Sequence, residues 1–252
     1  MNLHGKAVLI TGARRIGAEL APLLAQRGAC VALTYHTSRE PTEKLVAELK
    51  RGGAEAMAVG ADLASADEAQ AAVVKVAEQF GRLDVLVNMA SVYQRTPFAD
   101  LNPADFDRMI AANLAAPYHA SISAAWLMLQ NPAGPDLKGK IVTLGDWATE
   151  RPYKNFLPYL VAKGALKTMT LALAQELAPH ITVNLVEPGP IAPPPELSEV
   201  QRAQVLAETP LRRFGAPCDA NNLILYLLEG TDFATGSVFR VDGGRFLGRL
   251  EE

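Results

Sequence analysis

Cysteine is scarce: Cys30 and Cys218 stand far apart and without metal-ligand spacing, which argues against a disulfide framework and leaves two reduced thiols. Long apolar runs are missing too. No stretch of about 18 apolar residues occurs, and Met1 to Lys6 lacks the charged-then-apolar form of a signal peptide, so neither a membrane span nor export is expected. A basic excess is also absent: the formal charge is -3, without the electropositive footprint of a nucleic-acid binder. What remains is a 252-residue chain, 49% hydrophobic and 20% charged, which suits one cytoplasmic domain with a substantial core and a small-molecule substrate.

Short β-branched or apolar runs alternate with longer amphipathic stretches. Strands are expected at Ala7 to Thr11, Cys30 to Tyr35, Ala56 to Gly60, Val85 to Asn88, Ile141 to Leu144, Thr182 to Val186 and Ser237 to Val241. Helical patterns fall at Ile16 to Arg27, Thr42 to Lys50, Asp67 to Phe80, Pro103 to Leu129, Pro158 to Leu177 and Ala216 to Leu228. This alternation predicts an α/β fold: a single Rossmann-type doubly wound domain with about seven parallel strands and helices on both faces. Ligands of such sheets bind beyond the strand carboxyl ends, near the switch in strand order.

At the first such end the chain reads Thr11-Gly12-Ala13-Arg14-Arg15-Ile16-Gly17, between a strand and a helix. Glycines allow close backbone approach and a helix N-terminus offers free N–H groups, so a pyrophosphate is expected there. The end of the second strand reads Tyr35-His36-Thr37-Ser38-Arg39, with no carboxylate before Glu40. Hydroxyls, an imidazole and Arg39, with Arg14 or Arg15 nearby, suit a 2'-phosphate better than a ribose diol, which points to NADPH. The alternative for Thr37 to Arg39 is a solvated loop.

Tyr159 and Lys163 lie four residues apart and therefore share a helix face. At ~5 Å and an effective dielectric of about 20, an ammonium attracts a phenolate by about 3 kcal/mol. Lys163 is accordingly expected to lower the Tyr159 pKa and make it a proton donor near neutrality.

Together these motifs resemble the short-chain dehydrogenase/reductase family along nearly the whole chain. The likeness includes Asp62-Leu63, Asn88-Met89-Ala90-Ser91, Asn113, Tyr159 with Lys163, Asn184, Pro188-Gly189, Thr235-Gly236 and Val241-Asp242-Gly243-Gly244. It implies that Asp62 contacts the adenine, that Asn88 and Ala90 line the cofactor trough and that Lys163 holds the nicotinamide ribose. It also implies that Tyr159 delivers the proton and Asn113 positions a water in the relay. Read as plain structure, Asp62 would cap a turn and Asn113 would satisfy backbone groups inside its helix. The resemblance further implies a homotetramer joined through the two long helices, and a substrate loop at 190–210.

Asp146 departs from the common pattern, which has serine thirteen residues before the tyrosine. A serine hydroxyl donates to a carbonyl oxygen that gains charge as hydride arrives, whereas an ionised carboxylate repels it. A reducible C=N bond in a ring bearing N–H or amino donors turns the same carboxylate into an asset. The chain is similar here to the pteridine reductase and dihydromonapterin reductase branch, through Arg14-Arg15, Tyr35-His36-Thr37-Ser38, Asn88 to Tyr93 and Asp146-Trp147. That likeness implies that Tyr93 stacks on a pterin, that Ser91 lies in the substrate-stacking stretch and that Arg15 reaches both substrate and pyrophosphate. As a proton donor Asp146 needs a pKa raised by burial; its plain role is to cap local N–H groups. Two other readings stay open: an NADPH-dependent carbonyl reductase acting on a 3-oxoacyl thioester or small ketone, and a non-catalytic NADPH sensor.

Overall fold

The first strand, Ala-Val-Leu-Ile-Thr, is buried along its whole length and shows no polar alternation, as required of a strand covered on both faces. A computed structural model describes residues 1–132, 137–193 and 197–248. Its strands are β1 (Ala7–Thr11), β2 (Cys30–Tyr35), β3 (Ala56–Gly60), β4 (Val85–Asn88), β5 (Gly139–Leu144), β6 (Ile181–Pro188) and β7 (Val238–Val241). They form one parallel sheet in the order β3-β2-β1-β4-β5-β6-β7. The helices are α1 (Ile16–Ala25), α2 (Arg39–Arg51), α3 (Ala66–Phe80), α4 (Pro103–Ile110), α5 (Ala116–Leu129), α6 (Leu157–Leu177), α7 (Glu199–Ala207) and α8 (Pro217–Leu225).

Alternate residues of each strand feed two cores. Val8, Ile10, Val31, Leu33, Val85 and Val87 pack with α1, α2 and α8 on one face. Leu9, Ala32, Leu86 and Ile141 pack with α3, α5 and α6 on the other. The strand order reverses between β1 and β4, so the loops after these two strands flank the crevice where a ligand of this architecture sits.

Three expected elements differ from the structure, one of them the helix expected at Ala216 to Leu228, which ends at Leu225 and passes into a π-helical turn at Tyr226–Gly230. The long helix expected at Pro103 to Leu129 is interrupted by a π-helical turn at Ala111–Ala115, which carries Asn113. The segment 190–210 contains α7, whose start is fixed by a capping box: Ser198 Oγ accepts from Gln201 N, and the Gln201 side chain accepts from Ser198 N.

Candidate active site

The turn after β1 is built on backbone contact. Thr11 Oγ1 accepts from Met89 N at 3.0 Å and Ala90 N at 3.2 Å, tying the ends of β1 and β4 together. Gly12 has φ +82°, and a Cβ there would lie 3.1 Å from Ala90 Cα. At Gly17 a Cβ would come within 2.5 Å of Gly12 O, so the helix can start this close to the strand only without a side chain. The turn lacks the middle glycine of the family pattern, and Arg15 adopts φ 52° and ψ −113° immediately before α1. An L-residue held there stores about 1–3 kcal/mol. Its guanidinium donates to Ala192 O, bridging the turn to the segment after β6. Arg14 is exposed beside it. Arg15→Gly is expected to stabilise the fold by about 1 kcal/mol, after the larger unfolded-state entropy of glycine is subtracted, while weakening NADPH binding. Paired thermal melts and NADPH titrations check both halves.

At the end of β2, His36 and Thr37 are exposed and Ser38 precedes α2, accepting from Thr42 Oγ1 at 2.7 Å through its backbone carbonyl. The Tyr35 ring covers Gly60, where a Cβ would lie 3.1 Å from it. Arg39 pairs with Glu43 at 2.8 Å on the surface of α2. Asp62 caps its own turn, accepting from Ala64 N at 3.0 Å, and Leu63 is buried in the core beside α3. Asn88 donates to Ser121 Oγ at 2.9 Å and Thr143 Oγ1 at 3.2 Å, while its buried Oδ1 has no partner among the described residues. Pro188-Gly189 closes the crevice at β6: a Cβ on Gly189 would fall 2.5 Å from Asp242 Cα. The side-chain-free cradle at Gly12 and Gly17, the N-terminus of α1 with its two arginines and the hydroxyl-bearing end of β2 together fit a dinucleotide phosphate chain.

Asp146, Tyr159 and Lys163 converge at the end of β5. Asp146 caps the short helical turn Trp147–Thr149, its Oδ1 accepting from Ala148 N at 2.9 Å, while its Oδ2 accepts from the Tyr159 hydroxyl at 2.6 Å. The capping role and the site role therefore use different oxygens of one carboxylate. Burial pushes the Asp146 pKa up, against the pull of the Tyr159 hydrogen bond, the Ala148 N–H and the Lys163 charge. Tyr159 runs opposite to the sequence expectation. Its pKa is raised well above the ordinary value, first by burial and then by the charge and hydrogen bond of Asp146. Lys163 does not offset this, because its ammonium donates to Leu144 O at 2.8 Å; complete burial lowers its own pKa to about 8. The tyrosine is thus held as a protonated phenol. A buried carboxylate whose folded-state pKa is raised penalises the fold as pH climbs from the unfolded value through the folded one, and imposes nothing below both. Asp146→Asn is therefore expected to raise the Tm at pH 7.5 and leave it unchanged at pH 3, as calorimetry at the two pH values would show.

Asn113 is fully buried, and its amide is saturated by protein. Oδ1 accepts from Ser91 Oγ at 2.7 Å and Val92 N at 3.1 Å, and Nδ2 donates to Val92 O at 3.0 Å and Met109 O at 3.2 Å. It fastens the loop after β4 to the π turn, and so positions Ser91 and Tyr93. The Tyr93 ring stacks on Phe156 at 4.5 Å and meets Tyr159 edge-on at 5.0 Å. Tyr153 donates to the Tyr93 hydroxyl at 3.2 Å and leans on Phe156 and Trp147. This aromatic wall was not expected from the sequence beyond Tyr93 and Trp147. The signal available was the pair of aromatics, Tyr153 and Phe156, immediately ahead of the helix that carries Tyr159.

A profile of the family described as Enoyl-(Acyl carrier protein) reductase matches residues 11–245. The chain belongs to the short-chain dehydrogenase/reductase family. It is 33% identical over 247 residues to 3-oxoacyl-(acyl-carrier-protein) reductase FabG of Staphylococcus aureus, an alignment covering 96% of this chain and 98% of the relative. A short-chain dehydrogenase/reductase from Serratia marcescens superposes with a TM-score of 0.89 at 32% identity, covering 98% of this chain and 100% of that one. A short-chain dehydrogenase from Burkholderia cenocepacia, solved in complex with NADP, has a TM-score of 0.88 at 34% identity, covering 97% and 99%. This member of the family is accordingly an NAD(P)-dependent oxidoreductase with a single Rossmann-like domain. The likeness to the pteridine reductase branch is not carried by these relatives. Among the described residues no helix is long and apolar enough to cross a membrane.

Proposed function

We propose that this protein reduces a C=N bond in a pterin-type nitrogen heterocycle, of the dihydropterin or dihydrofolate kind, with NADPH as reductant. The observation that carries the reading is the 2.6 Å hydrogen bond from the Tyr159 phenol to Asp146, an acid standing where the family pattern has a neutral hydroxyl. Gly12, Arg14, Arg15, Ile16, Gly17, the Tyr35 to Ser38 segment, Asp62, Leu63, Asn88, Ala90, Ser91, Pro188 and Gly189 would hold NADPH, which would supply the hydride when bound. Tyr159 passes its proton to the ring nitrogen, so that one C–H and one N–H bond replace the C=N π bond. Asp146 accepts from the ring's N–H or amino groups and re-protonates the tyrosine when neutral. Lys163 orients the nicotinamide ribose, Tyr93 and Arg15 hold the substrate ring, and Asn113 keeps the Ser91 to Tyr93 loop in place. Selection of NADPH over NADH rests on the absence of a carboxylate at the end of β2. A cytoplasmic homotetramer fits the exposed apolar side chains of α5 and α6, Tyr118, Trp126, Val161 and Leu171.

A second reading, reduction of a 3-oxoacyl thioester, is favoured by the relatives, which include 3-oxoacyl-(acyl-carrier-protein) reductases and thus support it better than they support a pterin. It requires Asp146 to be neutral at the moment of hydride arrival, in the direction that burial already pushes it. Parallel assays of NADPH oxidation with dihydrobiopterin, dihydromonapterin, dihydrofolate and acetoacetyl thioester separate the two. Turnover confined to the thioester removes the pterin reading, and tight NADPH binding without any turnover removes both in favour of a sensor.

A further inference from the structure

Arg245 lies outside every motif that marks the cofactor and proton-transfer site, yet its side chain is largely buried and bonded through both terminal nitrogens. The backbone that carries it is fixed from several sides. Asp242 accepts from Gly244 N at 2.9 Å and Phe246 N at 2.7 Å, Arg151 donates to Phe246 O at 3.1 Å, and the Arg240 guanidinium lies 3.8 Å from the centre of the Phe246 ring. From this anchored turn the Arg245 guanidinium reaches two places. Toward α7 it donates to Val205 O at 2.8 Å and pairs with Glu208 at 2.8 Å, with Thr209 Oγ1 at 3.4 Å. Toward the site it lies 5.2 Å from the centre of the Trp147 ring, within cation–π range. Trp147 follows Asp146 directly and packs on Tyr153, which donates to Tyr93.

We infer that Arg245 is a positioning residue that couples α7 to the aromatic wall through Trp147 and so sets how tightly a planar substrate is held. The bond to Val205 O fixes the last turn of α7, and the cation–π contact with Trp147 makes that placement depend on the wall beside Asp146. Arginine suits both tasks, since one planar cation can donate along its edge and stack on its face. The substrate consequence rests on the reading that the pocket between Tyr93, Asp146 and Tyr159 takes the substrate; the coupling itself does not.

The test uses the full chain in a Trp126→Phe background, which leaves Trp147 as the one tryptophan. Arg245→Met is expected to raise acrylamide quenching of Trp147 at least twofold and to speed tryptic cleavage between residues 199 and 213 about tenfold. KM for dihydrobiopterin, or for acetoacetyl thioester if that is the substrate turned over, is expected to rise about tenfold, with kcat and NADPH Kd within twofold of the parent. Arg245→Lys keeps the ion pair with Glu208, but its single ammonium cannot also reach the Trp147 ring, so it should recover part of the protease resistance and none of the KM. Unchanged Trp147 quenching and unchanged proteolysis in the methionine variant would overturn the coupling. Equal losses of KM, kcat and NADPH affinity would instead show a general structural role and also overturn it. Because quenching and proteolysis need no substrate, failure of the pterin reading leaves both readouts intact.

Discussion

Replacing Tyr159 with phenylalanine lowers kcat for reduction by about 10³-fold, within the range observed when a positioned proton donor is removed. NADPH Kd stays within twofold, because the lost hydroxyl is spent on Asp146 at 2.6 Å. Burial and the neighbouring carboxylate both raise the phenol's pKa, so the donor carries its proton throughout the neutral range and its own ionisation does not limit the reaction. On the alkaline side the pH dependence comes from Lys163. Its ammonium, lowered to about 8 by burial, loses charge above that pH, and kcat/KM is expected to fall there. Stopped-flow single turnovers of wild type and Tyr159→Phe separate the proton step from cofactor binding. A large loss of NADPH affinity in the variant would contradict the donor role.

Asp146→Ser exchanges the acid for the hydroxyl of the common family pattern. Dihydropterin kcat/KM is expected to fall about 10²-fold, and acetoacetyl thioester reduction to hold or improve, since a hydroxyl donates to a developing alkoxide where an ionised carboxylate repels it. The substitution also removes the acceptor of the Tyr159 hydroxyl and the buried charge that raises its pKa. Its phenol should therefore titrate closer to the ordinary tyrosine range, which ultraviolet difference titration follows independently of any substrate. Undiminished dihydropterin turnover in this variant would refute the role given to Asp146.

Much of the architecture was legible because parallel strands covered on both faces are near-continuous apolar runs, as in Ala7 to Ile10, and because glycine-rich ends mark the crevice. Helix α7 was less legible. The prolines before it mask periodicity, although Ser198 and Gln201 carry a capping-box spacing that fixes its start. The π turn at Asn113 leaves no periodic trace, since one extra residue per turn is invisible against an apolar helix. In the site, spacing correctly placed Tyr159 and Lys163 on one helix, but not which neighbour controls the phenol. That depended on where the ammonium points. It turns to Leu144 O, and the hydroxyl turns to Asp146, which reverses the expected direction of the tyrosine pKa. Arg245 was invisible for a related reason: its partners lie in α7 and in the turn after β5, far away in sequence.

A competition experiment addresses the choice of substrate most directly. Wild-type protein is given equimolar dihydrobiopterin and acetoacetyl thioester, with NADPH limiting, and the two reduced products are quantified from the same vessel. A carboxyl group paired with Tyr159 predicts that tetrahydrobiopterin dominates. A preponderance of the hydroxyacyl thioester would contradict it and assign this short-chain oxidoreductase to carbonyl chemistry.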